Sequence, residues 1–371
     1  MKDNTISTHN KKSIYVGVSG GVDSSVAVLL LQQQLHQVHG VFMKNWEADD
    51  TDEYCAAAVD LADAESVCKQ MNIPLDSVNF SDQYWDRVFE YFLSEYKAGR
   101  TPNPDVLCNK EIKFKAFLDY SLKNGADYVA MGHYARIRKQ GDKYQLLKAK
   151  DDNKDQSYFL HLLNQHQLSK SMFPLGELYK SEVRELATKN NFITQNKKDS
   201  TGICFIGERR FKDFLQQFIP AQRGVMQSPE GEEIGHHDGL MYYTIGQRKG
   251  LHIGGKQKGD GSPWYVADKL IDENILIVVQ GNEHPLLYKK ILKATKLHWI
   301  SGEAPKLPYT CSAKTRYRQA DEACTITKIE NDEYVVEFKN PQWAITPGQS
   351  VVFYDGEICL GGGIIDNEKS K

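Results

Sequence analysis

Hydrophobic positions in the first half of the chain form two alternating patterns: short apolar runs, and longer segments with apolar residues every three or four positions. The short runs predict strands, at Ile14–Val18, Val38–Met43, Leu75–Phe80 and Tyr128–Met131. The longer segments predict helices, at Ser24–Leu35, Thr51–Met71, Tyr84–Tyr96 and Glu111–Leu122. Such alternation is typical of an α/β fold with a doubly wound, mostly parallel sheet, which binds ligands at the carboxyl ends of its strands.

The pattern changes along the second half. A hairpin is predicted over Ala135–Lys148, turning at Gln140–Lys143, and helices are predicted at Ser157–Leu163, Lys180–Asn190 and Phe211–Phe218. Beyond Pro220 glycine becomes frequent and strand-like runs dominate, among them Ile275–Val279, Glu333–Phe338 and Ser350–Phe353. We therefore predict smaller β-rich domains after the parallel sheet, with boundaries near 210–220 and 283–290.

The composition is that of a globular protein, with 40% hydrophobic and 26% charged residues among 371. The net charge of −3 does not by itself indicate a nucleic-acid partner, although basic clusters such as Lys314, Arg316 and Arg318 permit one. Met1–Lys12 is polar and no apolar run is long enough to span a membrane, so we predict a cytoplasmic protein without membrane contact. The cysteines are odd in number and lack C-x-x-C, which argues against a disulfide framework and a zinc ribbon.

The segment Gly17–Ser25, with the sequence GVSGGVDSS, follows a predicted strand and opens a predicted helix. Glycines let the backbone approach an anion, the helix start adds partial positive charge, and the serine hydroxyls donate hydrogen bonds. This is the chemistry of a phosphate cradle. The segment is neither a Walker A loop nor a dinucleotide fingerprint. It resembles the SGGxDS loop of the PP-loop ATP pyrophosphatases, which holds the pyrophosphate part of ATP while an acceptor oxygen is adenylated.

Two cysteine-containing segments suggest chemistry beyond nucleotide binding. In Gly99–Asn109 (GRTPNPDVLCN) the prolines predict extended backbone without a helix, so we expect Asp105 to cap a helix that carries Cys108 about one turn later. A thiol near a helix start tends towards thiolate. Cys204 lies between the glycines of Ser200–Gly207 (STGICFIG). Each cysteine alone also fits a small buried residue.

Together with the nucleotide loop, these two segments resemble signature segments of the tRNA 2-thiouridylases of the MnmA/TrmU type. The resemblance covers nearly the whole chain and includes further short motifs: Met131–Tyr134, Lys154–Tyr158, Tyr243–Arg248, Lys314–Arg318 and Pro347–Gln349. It implies a PP-loop catalytic domain of the adenine nucleotide alpha hydrolase-like type over residues 1–212. A central β-rich domain over 213–285 and a C-terminal β-barrel over 286–371 are expected to follow.

The resemblance also implies a reaction and its residues. ATP with magnesium adenylates the C2 oxygen of the wobble uridine, and Cys204 carries a persulfide received from a cysteine desulfurase or a sulfur-relay protein. The persulfide sulfur then displaces AMP, with Cys108 as nucleophile and Asp105 transferring protons. The chemistry is reasonable in itself, because a uracil carbonyl becomes a good electrophile only when its oxygen can leave.

By the same resemblance, three sets of residues are expected to bind ligands, and the protein itself is expected to hold no metal ion. The ATP contacts are Gly17, Val18, Ser19, Gly20, Gly21, Val22, Asp23, Ser24, Met43 and Gly132. The target-base contacts are Asn103, Pro104, Asp105 and His133. The contacts to the rest of the tRNA are Lys154, Asp155, Gln156, Tyr317, Arg318 and Gln349.

Several alternatives remain open from the residues. Asp105, Cys108 and Cys204 also form a possible ligand set for an iron–sulfur cluster, although scattered ligands without C-x-x-C favour the persulfide. Another PP-loop enzyme, such as an amidotransferase-type synthetase or an argininosuccinate synthase, would leave the two cysteines without a role. A non-catalytic tRNA-binding or sulfur-carrier protein would not need an intact nucleotide loop. A thiolase acting on another tRNA base would be expected to carry C-x-x-C pairs or an extra RNA-binding domain.

Overall fold

The computed structural model describes residues 11–47, 56–199, 211–253, 261–329 and 332–366. Its first part is built on a parallel sheet of strands β1 to β4 and β7. Their bounds are Ser13–Gly17, Gln37–Lys44, Leu75–Asn79, Tyr128–Ala130 and Ser171–Met172, and their order across the sheet is β3-β2-β1-β4-β7. Every pairing in this sheet is parallel. The predicted fold class is therefore confirmed.

Helices connect and cover these strands. The α-helices α1 to α9 span Val22–Gln33, Ala56–Gln70, Ser81–Tyr84, Glu90–Lys97, Pro104–Leu107, Phe117–Lys123, Gln165–Ser169, Lys180–Lys189 and Phe211–Leu215. Two π-helical segments, Trp85–Phe89 and Cys108–Ala116, continue neighbouring helices, and single 3-10 turns span Ser157–Leu160, Ile193–Asn196, Leu240–Tyr242 and Pro285–Leu287. No described helix is long and apolar enough to cross a membrane.

The remaining strands form two further sheets. The hairpin β5–β6 spans Arg136–Gln140 and Lys143–Leu147, where it was predicted. The central sheet, β8 to β11, spans Gly224–Gln227, Glu233–His237, Trp264–Leu270 and Ile275–Gln280. The strands β12 to β17 span Tyr288–Trp299, Tyr309–Lys314, Glu322–Lys328, Tyr334–Trp343, Ser350–Asp355 and Ile358–Asp366. They close into a barrel because β12 pairs with both β15 and β17.

The hairpin does not stay with the parallel sheet. Its strand β6 pairs with the last barrel strand, Leu147 opposite Ile358 and Leu146 opposite Cys359. One buried apolar cluster likewise runs from one face of the parallel sheet into the central sheet and the barrel, and includes Phe89, Leu276 and Tyr354. The N-terminal part is thus packed directly on both β-rich parts.

One local prediction was wrong in a way that affects the site. The Pro-containing loop was expected to stay extended, with Asp105 as the helix cap. Instead the helix begins at Pro104, and Asn103 is the cap, its side-chain oxygen accepting the Asp105 backbone N–H at 3.2 Å. Proline is well suited to the first helical position, because its fixed φ is helical and the missing N–H has no partner there.

Candidate active site

The nucleotide loop, Val18–Gly21, connects β1 to α1 and is held by its own side chains. The Ser24 hydroxyl donates to the Gly21 carbonyl at 3.0 Å and accepts the Ser19 N–H at 3.2 Å. Gly20 has φ +70°, and a Cβ there would lie 2.2 Å from the Asp60 carbonyl oxygen, so only glycine fits. The loop therefore meets the start of a 12-residue helix, the arrangement that suits a phosphate group.

Two predicted adenosine contacts lie beside this loop. Met43 is the last residue but one of β2, and its Cε atom would be 3.0 Å from a Cβ on Gly17. Gly132 follows β4 and packs on the start of α1, because a Cβ there would lie 2.9 Å from both Asp23 C and Ser24 N. The structure thus brings the predicted ATP-binding residues together, and their contact with ATP stays a prediction.

A lysine that the sequence analysis missed, Lys180, lies next to the loop. Its ammonium group is 2.7 and 2.8 Å from the two carboxylate oxygens of Asp23, and 2.8 Å from Asp199 Oδ1. The Tyr134 hydroxyl also donates to Asp23, at 2.8 Å. Lys180 is the first residue of α8, far along the chain from the loop, so no local pattern marked it.

Two further basic side chains donate hydrogen bonds to Asp199. Lys154 donates to its Oδ2 at 2.7 Å and Arg184 to its Oδ1 at 3.0 Å. Burial alone would raise the pKa of Asp199, but the hydrogen bonds from Lys154 and Lys180 outweigh it and lower the pKa to about 2. A second lysine, Lys197, donates to the Gly20 carbonyl of the nucleotide loop at 3.0 Å. Asp199 is therefore linked through Lys180 to Asp23, and Lys197 bonds directly to the nucleotide loop.

Asp105 and Cys108 occupy one turn at the start of the helix that Asn103 caps. Burial raises the pKa of the Asp105 carboxyl group, and the nearby positive charge of Lys113 opposes that rise. The Cys108 side chain is buried, with 3% of its surface exposed. Cys204 lies outside the described residues, so the predicted pairing of the two cysteines stays a prediction.

His133 follows β4 and is buried next to the same helix. Its ring lies 5.8 Å from the Phe114 ring and 5.9 Å from the Phe173 ring. Burial, together with the charge of Lys113, holds the pKa of His133 well below its ordinary value, so the imidazole is neutral. Among the described residues its Nδ1 atom has no hydrogen-bond partner.

The predicted tRNA contacts near residue 155 mostly face the interior. Asp155 is buried, and its Oδ1 accepts the backbone N–H groups of Ala149 and Ser157, both at 3.1 Å. Gln156 accepts the Tyr134 N–H at 2.9 Å. These two side chains bond to backbone groups of the fold beside the site, and their contact with tRNA stays a prediction.

The predicted tRNA contacts of the barrel differ from one another. Arg318 is exposed. The Tyr317 ring packs against the Phe159 ring at 4.4 Å and is half-buried. The Gln349 side chain points at the loop that precedes Asn103, where its amide donates to the Thr101 carbonyl at 2.7 Å. Arg318 is thus the residue of this group most open to a large ligand.

Comparisons with known proteins place the chain in a family. Residues 12–208 match the family model described as the tRNA methyl transferase HUP domain, residues 212–280 the tRNA methyl transferase PRC-barrel domain, and residues 289–365 the aminomethyltransferase beta-barrel domain. A solved structure, the U34-tRNA thiolase NcsA from Methanococcus maripaludis with its 4Fe-4S cluster, is 18% identical and covers 56% of this chain and 65% of that chain with a TM-score of 0.35. A likeness at this level carries no argument about the site.

Curated relatives are much more similar. The tRNA-specific 2-thiouridylase MnmA of Hydrogenovibrio crunogenus is 61% identical over 353 residues, which cover 95% of this chain and 93% of the relative. The tRNA-specific 2-thiouridylase MnmA of Vibrio cholerae is 59% identical over 363 residues, which cover 97% of this chain and 98% of the relative. Since the identity extends over nearly the full length of both partners, the chain belongs to the tRNA-specific 2-thiouridylase family, a family of tRNA sulfurtransferase enzymes.

Proposed function

We propose that this enzyme replaces the C2 oxygen of the wobble uridine of tRNA by sulfur, consuming ATP. One observation carries the proposal: the segment Gly132–His133 connects the nucleotide loop to the helix of Cys108. Gly132 packs on Asp23 and Ser24 at the start of α1, and the His133 ring contacts Phe114, which lies in the same π-helical segment as Cys108. The start of α1, next to the nucleotide loop, and the helical segment that carries Cys108 therefore pack on neighbouring residues of one short segment.

The first step is adenylation. The uridine C2 oxygen attacks the α-phosphorus of ATP, and pyrophosphate leaves into the cradle formed by Ser19–Gly21 and the start of α1. Lys180 and Lys197 lie beside this loop, paired with Asp23 and Asp199 and with Asp60 and Asp63 respectively, so contact with the pyrophosphate would require exchange of these ion pairs. Magnesium enters as the ATP complex. Among the described ranges, no group of three or more His, Cys, Asp or Glu side chains is arranged to hold a metal ion.

The second step transfers sulfur. Cys204 carries a persulfide delivered by a cysteine desulfurase or a relay protein. Its terminal sulfur, attacking directly or as hydrosulfide, forms the C–S bond, and the C–O bond breaks to release AMP. The Cys108 thiolate attacks the inner sulfur, so the two cysteines end as a disulfide that a thiol reductant must reopen. Asp105, whose pKa burial raises, holds or releases the proton of the exchange.

The test is thionucleoside analysis of unmodified tRNA incubated with the enzyme, ATP and magnesium. One series receives a persulfide donor and the other free sulfide. We expect 2-thiouridine with the wild-type enzyme in both series, and loss with Cys108→Ala and with Cys204→Ala in the persulfide series. Free sulfide should restore both variants, because the step that uses Cys108 is the attack on the Cys204 persulfide. Cys311→Ser, at a half-buried thiol in barrel strand β13, is the matched control and should remain active.

Other outcomes would change the proposal. AMP formation without any thiolated base would preserve the adenylating chemistry but point to another acceptor. A thiolated base other than the wobble uridine would change the target. Loss of activity on iron chelation, with an absorbing cluster that needs Asp105, Cys108 and Cys204, would replace the persulfide by the cluster that the same residues can ligate.

A further inference from the structure

The stretch Gly99–Pro102, which leads into the helix of Asp105 and Cys108, is held by groups from the other two parts of the molecule. The Lys269 ammonium group, from the central sheet, donates to the Gly99 carbonyl at 3.0 Å. The Thr101 N–H donates to the Pro347 carbonyl, before barrel strand β16, at 2.9 Å. Residues distant in sequence thus satisfy the backbone of the loop next to the predicted nucleophile.

Side chains complete this bracing. The Gln349 amide donates to the Thr101 carbonyl at 2.7 Å and lies 3.4 Å from the Pro102 carbonyl. The Thr101 hydroxyl is 3.3 Å from that of Thr244. Since Thr101 and Pro102 are the two residues before the cap residue Asn103, these bonds fix the point where the helix of Asp105 and Cys108 begins. We call this helix, with its proposed reacting residues, the catalytic helix.

The loop also lies so close to the barrel and to the central sheet that two positions have room only for glycine. Gly348 has φ +90°, and a Cβ there would lie 2.9 Å from Thr101 N and 3.0 Å from its carbonyl oxygen. Gly99 has φ +74°, and a Cβ there would lie 2.3 Å from Ile271 Cδ1. Two glycines therefore let the barrel and the central sheet close on the loop from two sides.

We propose that Gln349 and Lys269 are positioning residues for sulfur transfer, holding Gly99–Pro102 so that Asp105 and Cys108 face the target base. The proposal rests on the proposed function in assigning the chemistry to Asp105 and Cys108. This role of Gln349 differs from the predicted tRNA contact, because its side-chain amide donates to the Thr101 carbonyl of the protein's own loop. The burial of the Lys269 ammonium group, which lowers its pKa to about 8, agrees with a group enclosed between packed parts.

The test measures the reactivity of Cys108 without tRNA or ATP. Alkylation by iodoacetamide is followed by peptide mass spectrometry in a Cys204→Ser background, with and without Gln349→Glu or Lys269→Met. Gln349→Glu keeps the size of the side chain but removes the donor facing two carbonyl groups. We expect the Cys108 rate to rise about 10-fold, the factor that corresponds to one lost hydrogen bond, because a loosened helix start exposes the buried thiol.

Thiolation kinetics provide the second readout. With Cys204 intact, Gln349→Glu and Lys269→Met should lower kcat at saturating tRNA about 10- to 100-fold, because small displacements of reacting groups cost that much. KM for tRNA should stay within about twofold, the pattern of a group lost from the transition state rather than from binding. Arg318→Ala, at an exposed side chain, is the matched control: it should raise KM for tRNA and leave Cys108 reactivity unchanged.

Two results would overturn the proposal. The first is an unchanged Cys108 rate in both variants with a raised KM for tRNA, which would leave Gln349 as a tRNA contact alone. The second is a parallel rise in the reactivity of buried Cys68 and Cys359, which would show a general fold contact rather than a local one. Absence of thiolation by the wild-type enzyme would refute the proposed function without affecting the alkylation result.

Discussion

Burial holds three histidines neutral: His133 at the candidate site, and His161 and His298, which lie where the N-terminal part meets the barrel. The pKa of each is lowered, with desolvation as the largest cause. His161 has no exposed surface, and its Nδ1 atom lies 2.8 Å from the Tyr158 carbonyl, so this nitrogen carries the proton of the neutral ring. Its pKa is lowered to about 4. Because the buried ring resists protonation and the ring in the unfolded chain does not, acid lowers the stability of the fold.

We predict that stability falls as the pH drops from about 6.5 to about 4, and that His161→Asn reduces this loss. In that window the unfolded chain binds a proton at His161 and the folded chain does not, so stability rises with pH. For one such residue the effect is roughly 3 kcal/mol. Urea unfolding at several pH values measures it. Asn retains a donor for the Tyr158 carbonyl, and His166→Gln, at an exposed ring, should leave the slope unchanged.

At the scale of elements, the start of the catalytic helix shows where sequence reasoning succeeds and fails. Strands β1 to β4 lie within one residue of their predicted ends, because burial of apolar runs determines them. The helix start does not follow from composition, because Asn103-Pro104-Asp105 offers two capping side chains. Pro104, which suits the first helical position, favours Asn103 as the cap, and the backbone before it is held by Gln349 and Lys269, which a local pattern does not connect to it.

We predict that Asn103→Ala lowers the free energy of unfolding by about 1 kcal/mol, the usual contribution of an N-cap, and also reduces thiolation. Asn164→Ala is the matched control, since Asn164 caps α7 in the same way, accepting the Gln167 N–H at 2.9 Å. It should cost similar stability and leave thiolation unchanged. Chemical unfolding and the thionucleoside assay measure the two effects. An equal loss of activity in both variants would mean that stability alone, not the start of the catalytic helix, limits the reaction.

At the scale of the molecule, one strand pairing joins the N-terminal part to the barrel. The hairpin Arg136–Leu147 was predicted from its turn, but its partner, barrel strand β17, is more than 200 residues away. Glu357 strengthens the join, because Arg136 and Arg138 lie 2.7 and 2.9 Å from its carboxylate. Such a pairing is set by closure of the whole fold. Only the three-dimensional structure shows it.

This join predicts that the N-terminal part and the barrel unfold together. Leu146→Ala removes a fully buried side chain of the hairpin and is expected to cost about 2–5 kcal/mol. Because Leu146 lies opposite Cys359, the amides of Ile358–Asp366 should lose hydrogen-exchange protection together with those of β1 and β4. Leu292→Ala, at a buried position inside the barrel, should reduce protection of the same two regions. Two separate calorimetric transitions, or a loss of exchange protection confined to the hairpin, would instead show that the N-terminal part and the barrel unfold independently. The contacts between the barrel and Gly99–Pro102 would then break whenever either part opened.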